Sequence, residues 1–210
     1  MPYAVLARFE PIPGKGEELI QKSEELTRQA QAAGQRIGLT VTAFGDSTTL
    51  QAAVLFDSLA AVEAYPTSAT AQALRAREAE LRPLMAGRPQ QQLFEVIAQP
   101  AAGGPAPAYQ QTFTLYPQGA KQQEFMQLLM ARMQVEAARG TRGAVAVPVS
   151  GNIGTVSVLV FFGSLAELEK DRSFRNADAA WQSFATQMAA LSAGPPVSEI
   201  RRVIVPLPPQ

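Results

Sequence analysis

The chain contains neither histidine nor cysteine. That removes the commonest general base, the commonest metal ligand, the thiolate nucleophile and every triad that turns on imidazole. No disulfide is possible and no metal site is expected. Chemistry is left to carboxylates, Tyr, Lys, Arg and Ser/Thr, or to a bound group. Two residues stand out as catalytic candidates. Arg8 could orient an anionic or enolate oxygen, and Tyr116 could donate a proton or a hydrogen bond. Thr112 and Thr114 alternate onto the same strand side as Tyr116 and are candidates for substrate binding. Arg202, set between Ile200 and Ile204, is another. Each has a plainer alternative. Arg8 pairs with a carboxylate, Tyr116 lies at a rim, and Arg202 snorkels to a sheet edge. Glu95 and Arg201 read as an ion pair. Glu78 is a base if its helical face is buried, and a solvated side chain if it is not. Gly14, Gly16, Gly103 and Gly104 form neither a phosphate loop nor a dinucleotide fingerprint.

These candidates come from comparing the chain with itself. Displaced by 106 residues, the sequence matches without gaps: Tyr3 falls on Tyr109, Lys15 on Lys121, Gly34 on Gly140, and Arg36 on Arg142. The clearest match is Phe56 to Glu63 against Phe162 to Glu169. A long period present only twice points to two fused domains, because solenoid units are shorter and more numerous. Residues 1–98 and 109–207 form the halves. Residues 99–108, rich in Pro, Gly and Ala, form the linker. An asymmetric site would arise where the copies disagree, as at Arg8 against Thr114, Glu10 against Tyr116 and Val96 against Arg202.

Each half reads strand, helix, strand, strand, helix, strand. In the first, strands cover Tyr3–Glu10, Leu39–Phe44, Thr49–Phe56 and Gln91–Ile97. A helix over Gly16–Ala33 stops at Gly34. A second begins after Asp57-Ser58 and is ended or kinked by Pro83. In the second half, helices cover Lys121–Arg139 and Leu165–Leu191. The latter carries the stripe Phe174, Ala177, Trp181, Phe184, Met188 and Leu191, whose spacing predicts one packed face. The β-α-β-β-α-β order is the ferredoxin-like split motif. The strand Val156–Phe162 is apolar on both faces and requires cover on both. The expected fold is α+β: two tandem ferredoxin-like domains making an intramolecular, eight-stranded barrel.

Composition narrows the partners. Hydrophobic residues make up 47%, enough for a core in each half, and 18 basic residues balance 18 acidic ones. Without a basic run, neither nucleic acid nor a membrane surface is an expected partner. The apolar runs are of strand length, too short for a membrane span. The N-terminus enters a strand at once without a signal-peptide pattern, so a cytoplasmic location is expected.

The turn Pro13-Gly14-Lys15 and a hairpin ending in Phe-x-Ser-Leu-Ala-x-x-Glu resemble the dimeric α/β-barrel superfamily. Its antibiotic-biosynthesis-monooxygenase-like and NIPSNAP-like members, in tandem, are the nearest likeness. The second turn, Gln118-Gly119-Ala120-Lys121, departs from the pattern. The resemblance implies a small-molecule enzyme, similar to cofactor-independent monooxygenases or polyketide cyclases, acting on an aromatic or apolar compound without a cofactor. It also implies that Trp181 could lie near the substrate, although its spacing favours core packing. The alternative on the same fold is a noncatalytic ligand-binding or stress-associated protein. The halves form a pseudo-dimer within one chain, and a further homodimer is compatible with the pattern.

Overall fold

The computed structural model describes residues 2–44, 48–99 and 105–208. Residues 45–47, between the predicted strands Leu39–Phe44 and Thr49–Phe56, and most of the linker lie outside them. By Cα packing the chain divides into two units. The first comprises residues 1–96, 149–151 and 201–210, and the second comprises residues 97–148 and 152–200.

In the first unit the elements are β1 (Tyr3–Phe9), α1 (Gly16–Ala32), β2 (Ile37–Thr42), β3 (Leu50–Phe56), α2 (Leu59–Ala64), α3 (Ala69–Glu78) and β4 (Gln90–Ala98, which runs on past the unit boundary). The second unit repeats the order with β5 (Tyr109–Leu115), α4 (Gln122–Ala138), β6 (Arg142–Pro148), β7 (Val156–Phe162), α5 (Leu165–Ala177) and α6 (Ala179–Leu191). The last strand, β8 (Val197–Val205), begins in the second unit and ends in the first. Hydrogen bonding links the strands in the order β1-β3-β2-β8-β5-β7-β6-β4 and closes on itself as a barrel. The expected α+β fold with two ferredoxin-like repeats is what the chain adopts.

The repeat holds at the level of register. Tyr3 pairs with Phe56 as Tyr109 pairs with Phe162, and Ile37 with Val54 as Gly143 with Val160. Helix starts repeat too. Ser58 accepts from the Ala61 amide and Ser164 from the Glu167 amide, each from extended backbone. Helix ends follow the same rule. Gly34 and Gly140 have φ of +86° and +83°, and the next residue donates back to Ala30 or Glu136, the bond pattern of a glycine-capped terminus. A Cβ at either glycine would meet nothing within 4 Å. Gly34→Ala and Gly140→Ala should therefore each cost about 1 kcal/mol through backbone strain alone. Urea denaturation of the two variants checks this, and near-equal losses are expected.

Each unit has its own core. Leu19, Leu39, Leu50 and Val205 centre the first, and Phe125, Val145, Val156 and Leu168 the second. Met126, Met130 and Met133 pack against the second as filler.

Two long helices expected from the sequence are broken. Leu165–Leu191 is two helices, α5 and α6, separated by Asp178 at φ −85° and ψ 114°. Its carboxylate accepts from the Trp181 amide at 2.8 Å and so starts α6. Ala177, placed on the packed stripe by its spacing, is exposed beside this break. In the first unit a 3-10 turn at Tyr65–Thr67 separates α2 from α3, and Ser68 caps α3. That helix ends at Glu78, well before Pro83, which sits in its own 3-10 turn.

Candidate functional site

The break at Asp178 sets the geometry of the second unit. Helix α5 stops, α6 restarts with Trp181 in its first turn, and both lie near the C-terminal half of α4. Arg132 and Glu136 stand one turn apart on α4, and Asp171 and Arg175 one turn apart on α5. At that spacing they form ion pairs, and both pairs measure 2.5 Å. Such pairs normally face solvent. Here the side chains of Arg132 and Glu136 are 10% and 5% exposed, and those of Arg175 and Asp171 are 17% and 13% exposed.

Trp181 lies between the two pairs. The Arg132 guanidinium carbon is 4.3 Å from its ring centre and that of Arg175 is 4.7 Å away. Such contacts gain strength when desolvated. Phe184 meets the indole edge to face at 5.1 Å. From the sheet, Phe113 places its ring 5.7 Å from Arg175. Glu136 also takes hydrogen bonds from Arg139 at 3.3 Å and from the Thr141 hydroxyl at 3.2 Å. Arg139 in turn stacks on Phe174. Burial pushes the Asp171 carboxyl above its ordinary range. Arg175 opposes that shift, the neighbouring Glu136 charge adds to it, and Arg139 opposes it.

Two grooves open on the helical side of this unit. One of about 360 Å³ is lined by Glu124, Gln127, Leu128, Gln187 and Leu191. The other, about 270 Å³, reaches Arg132 and Phe184. Among the described residues no group of three acidic, His or Cys side chains could hold a metal ion.

Against this arrangement the sequence candidates fall into separate groups. Trp181 is at its centre, as a partner of two arginines and not simply a core residue. Thr112 and Thr114 alternate with Phe113 along β5 and therefore occupy the face opposite the cluster. The Thr112 hydroxyl accepts from Gln110 at 2.9 Å. Tyr116, half-buried just beyond β5, uses its carbonyl to accept from Ala193. Arg8 is exposed on β1 of the first unit, opposite Gln51. Arg202 is exposed on β8 and pairs in register with Val41. Arg201 is wholly buried and donates to Thr40 and Thr49. The side chain of Glu78 lies outside the described residues.

Arg132, Glu136, Asp171 and Arg175 were missed by strand-centred reading. A signal for them exists. In the repeat alignment they fall on Leu26, Ala30, Tyr65 and Ala69, and Trp181 falls on Arg75. In the first unit Leu26 and Ala30 are ordinary buried apolar residues. The copies disagree most sharply on the helices.

Comparison with known proteins supports the fold. A candidate monooxygenase of Fusobacterium nucleatum subsp. nucleatum superposes with a TM-score of 0.77 at 12% identity, covering 100% of this chain and 97% of that one. A candidate monooxygenase of Lactobacillus acidophilus gives 0.74 at 7% identity, with 100% and 99% covered. An anthrone oxidase-like protein gives 0.65 at 19% identity, with 96% and 91% covered. No family model and no curated protein matches the sequence. The chain thus has the dimeric α/β-barrel fold, built from two repeats in one polypeptide. Among the described residues no helix is long and apolar enough to cross a membrane.

Proposed function

We propose that the chain is a small-molecule enzyme of the cofactor-independent monooxygenase type, acting on an aromatic or apolar compound with an ionisable C–H or O–H bond. The observation that carries this reading is Asp171, a buried carboxylate of raised pKa set against Arg175 and beside Trp181. A carboxylate tuned upward is a better base than an exposed one, and perturbed carboxylates cluster at functional sites. In this reading Asp171 takes the proton from the substrate. The Arg132 and Arg175 guanidinium groups stabilise the negative charge that develops, and the Trp181, Phe113 and Phe184 rings form aromatic walls. Fold likeness to candidate monooxygenases and to an anthrone oxidase-like protein agrees with the reaction class; fold by itself does not give function.

The strand residues are the competing set: Arg8 in the first unit would orient an oxygen, or Tyr116 in the second would donate a proton, with Arg202, or Thr112 and Thr114, binding substrate in the same unit. The two residue sets make opposite forecasts. Oxygen uptake with anthrone as substrate, in chelator-treated buffer, should be measured for the wild type, Arg8→Met and Tyr116→Phe. Turnover retained in both variants assigns the chemistry to the helical set, and turnover lost in either assigns it to the strands. No uptake by the wild type with anthrone or related enolisable aromatics, together with saturable binding, would favour the noncatalytic ligand-binding alternative.

A further inference from the structure

We infer that the groove between α4 and α6 admits an aromatic monoanion, of which an arylcarboxylate is the simplest case, to the guanidinium groups flanking Trp181. The inference rests on the location of the proposed site in the second unit, not on turnover there.

The first ground is hydrogen bonding. Arg132 Nε, Arg175 Nε and Trp181 Nε1 are buried and have no hydrogen-bond partner among the described residues. All three are donors, and an indole or guanidinium N–H can be satisfied only by an acceptor. Leaving such groups unsatisfied is costly, so native structures seldom do it in clusters. Asp171 Oδ2 is the acceptor in the same set, and Arg175 already holds it at 2.5 Å.

Charge is the second ground. Arg132 and Arg175 each give one nitrogen to a carboxylate, Glu136 and Asp171 respectively, while the third carboxylate at the cluster, Asp178, accepts from the Trp181 amide. The Nε donors of both arginines remain without a partner among the described residues, so a single carboxylate can be added without displacing either ion pair. Charge-assisted bonds to a planar carboxylate suit guanidinium geometry.

Access is the third. The groove of about 270 Å³ is walled by Leu128, Ala131 and Val135 from α4 and by Ala180 and Phe184 from α6. Arg132 lines it as well, although its side chain is nine-tenths buried, so the groove and the cluster share this residue. That volume lies just below the range of about 300–1,000 Å³ typical of ligand pockets, which fits a one- or two-ring molecule. The matching positions of the first half hold Leu26, Ala30 and Arg75. One site per chain follows.

Trp181 is the only tryptophan beside four tyrosines, so fluorescence excited selectively at tryptophan reports on the site. The full chain should be titrated at constant ionic strength with benzoate and phenylacetate, and with benzamide and phenylacetamide as neutral isosteres. The acids are expected to bind about tenfold or more tightly than the amides, at one per chain. Arg132→Gln should erase that preference. Ala180→Leu, a surface change that fills the groove without touching a charge, should weaken acids and amides together. It keeps the test decisive if Arg132→Gln melts early. Equal affinity for acids and amides, the same response to chloride at matched concentration, or unchanged binding in Ala180→Leu overturns the inference. Acid-selective binding without oxygen uptake retains it and retires the catalytic reading. Oxygen uptake with a neutral substrate and no acid preference does the reverse.

Discussion

Asp171→Asn should slow turnover by about 10²- to 10⁴-fold, the usual contribution of a positioned general base. The substitution keeps shape and removes the ability to accept a proton. Asp171 is mostly buried, lies 2.5 Å from Arg175, and shares that arginine with the Trp181 ring. An amide there can still meet Arg175 through its oxygen, so the fold should survive. Near-UV circular dichroism and melting temperature should stay close to wild type while single-turnover oxygen uptake collapses. If uptake falls less than about threefold, Asp171 is not the base.

The same residue fixes the sign of the pH dependence. Burial raises its pKa above the ordinary 3.8, with Arg175 opposing and Glu136 reinforcing the shift. A base must be ionised to act. Activity is therefore expected to fall as pH drops through the raised value, earlier than for an exposed carboxylate. Stability moves the other way. The folded state holds this proton more tightly than the unfolded chain, so the contribution of Asp171 to stability declines as pH rises from the ordinary value to the raised one. Asp171→Asn should abolish the acid limb of the rate profile and flatten that stability trend.

Much of the fold was legible because local signals agreed with the repeat. Gly34 and Gly140 mark helix ends, and Ser58 and Ser164 mark helix starts. The break at Asp178 was less visible. Trp181, Phe184, Met188 and Leu191 keep helical spacing with Phe174 across it, so periodicity alone ran the two helices together. Asp178 is a favoured N-cap residue, but it sits inside an apolar stripe that masks it. The cluster was hidden for a different reason. Arg132–Glu136 and Asp171–Arg175 have the spacing of ordinary surface pairs, and only packing of α6 over them makes them buried. At the matching helix positions the first copy holds Leu26 and Ala30 for the first pair and Tyr65 and Ala69 for the second, so the two copies differ at every member of the cluster.

That comparison also suggests the most informative stability experiment. Glu136→Ala should destabilise the second unit by about 3–5 kcal/mol, the range for removing one partner of a buried pair. Arg132 would keep a nine-tenths buried charge with no adjacent carboxylate on its helix. Arg139 and Thr141 would lose the acceptor they share. Adding Arg132→Leu should recover most of the loss, because the double variant then carries the pair that the first unit already packs, Leu26 and Ala30, at 7% and 1% exposure. Urea denaturation of the two single variants and the double variant gives the coupling directly. A strongly negative coupling, with the double variant near wild type, means that the ion pair is not needed for folding. Loss of the acid preference in that stable double variant would then show that Arg132 and Glu136 persist in the second half for binding. If the double variant is as unstable as Glu136→Ala alone, the pair is structural and the divergence between the copies reflects packing.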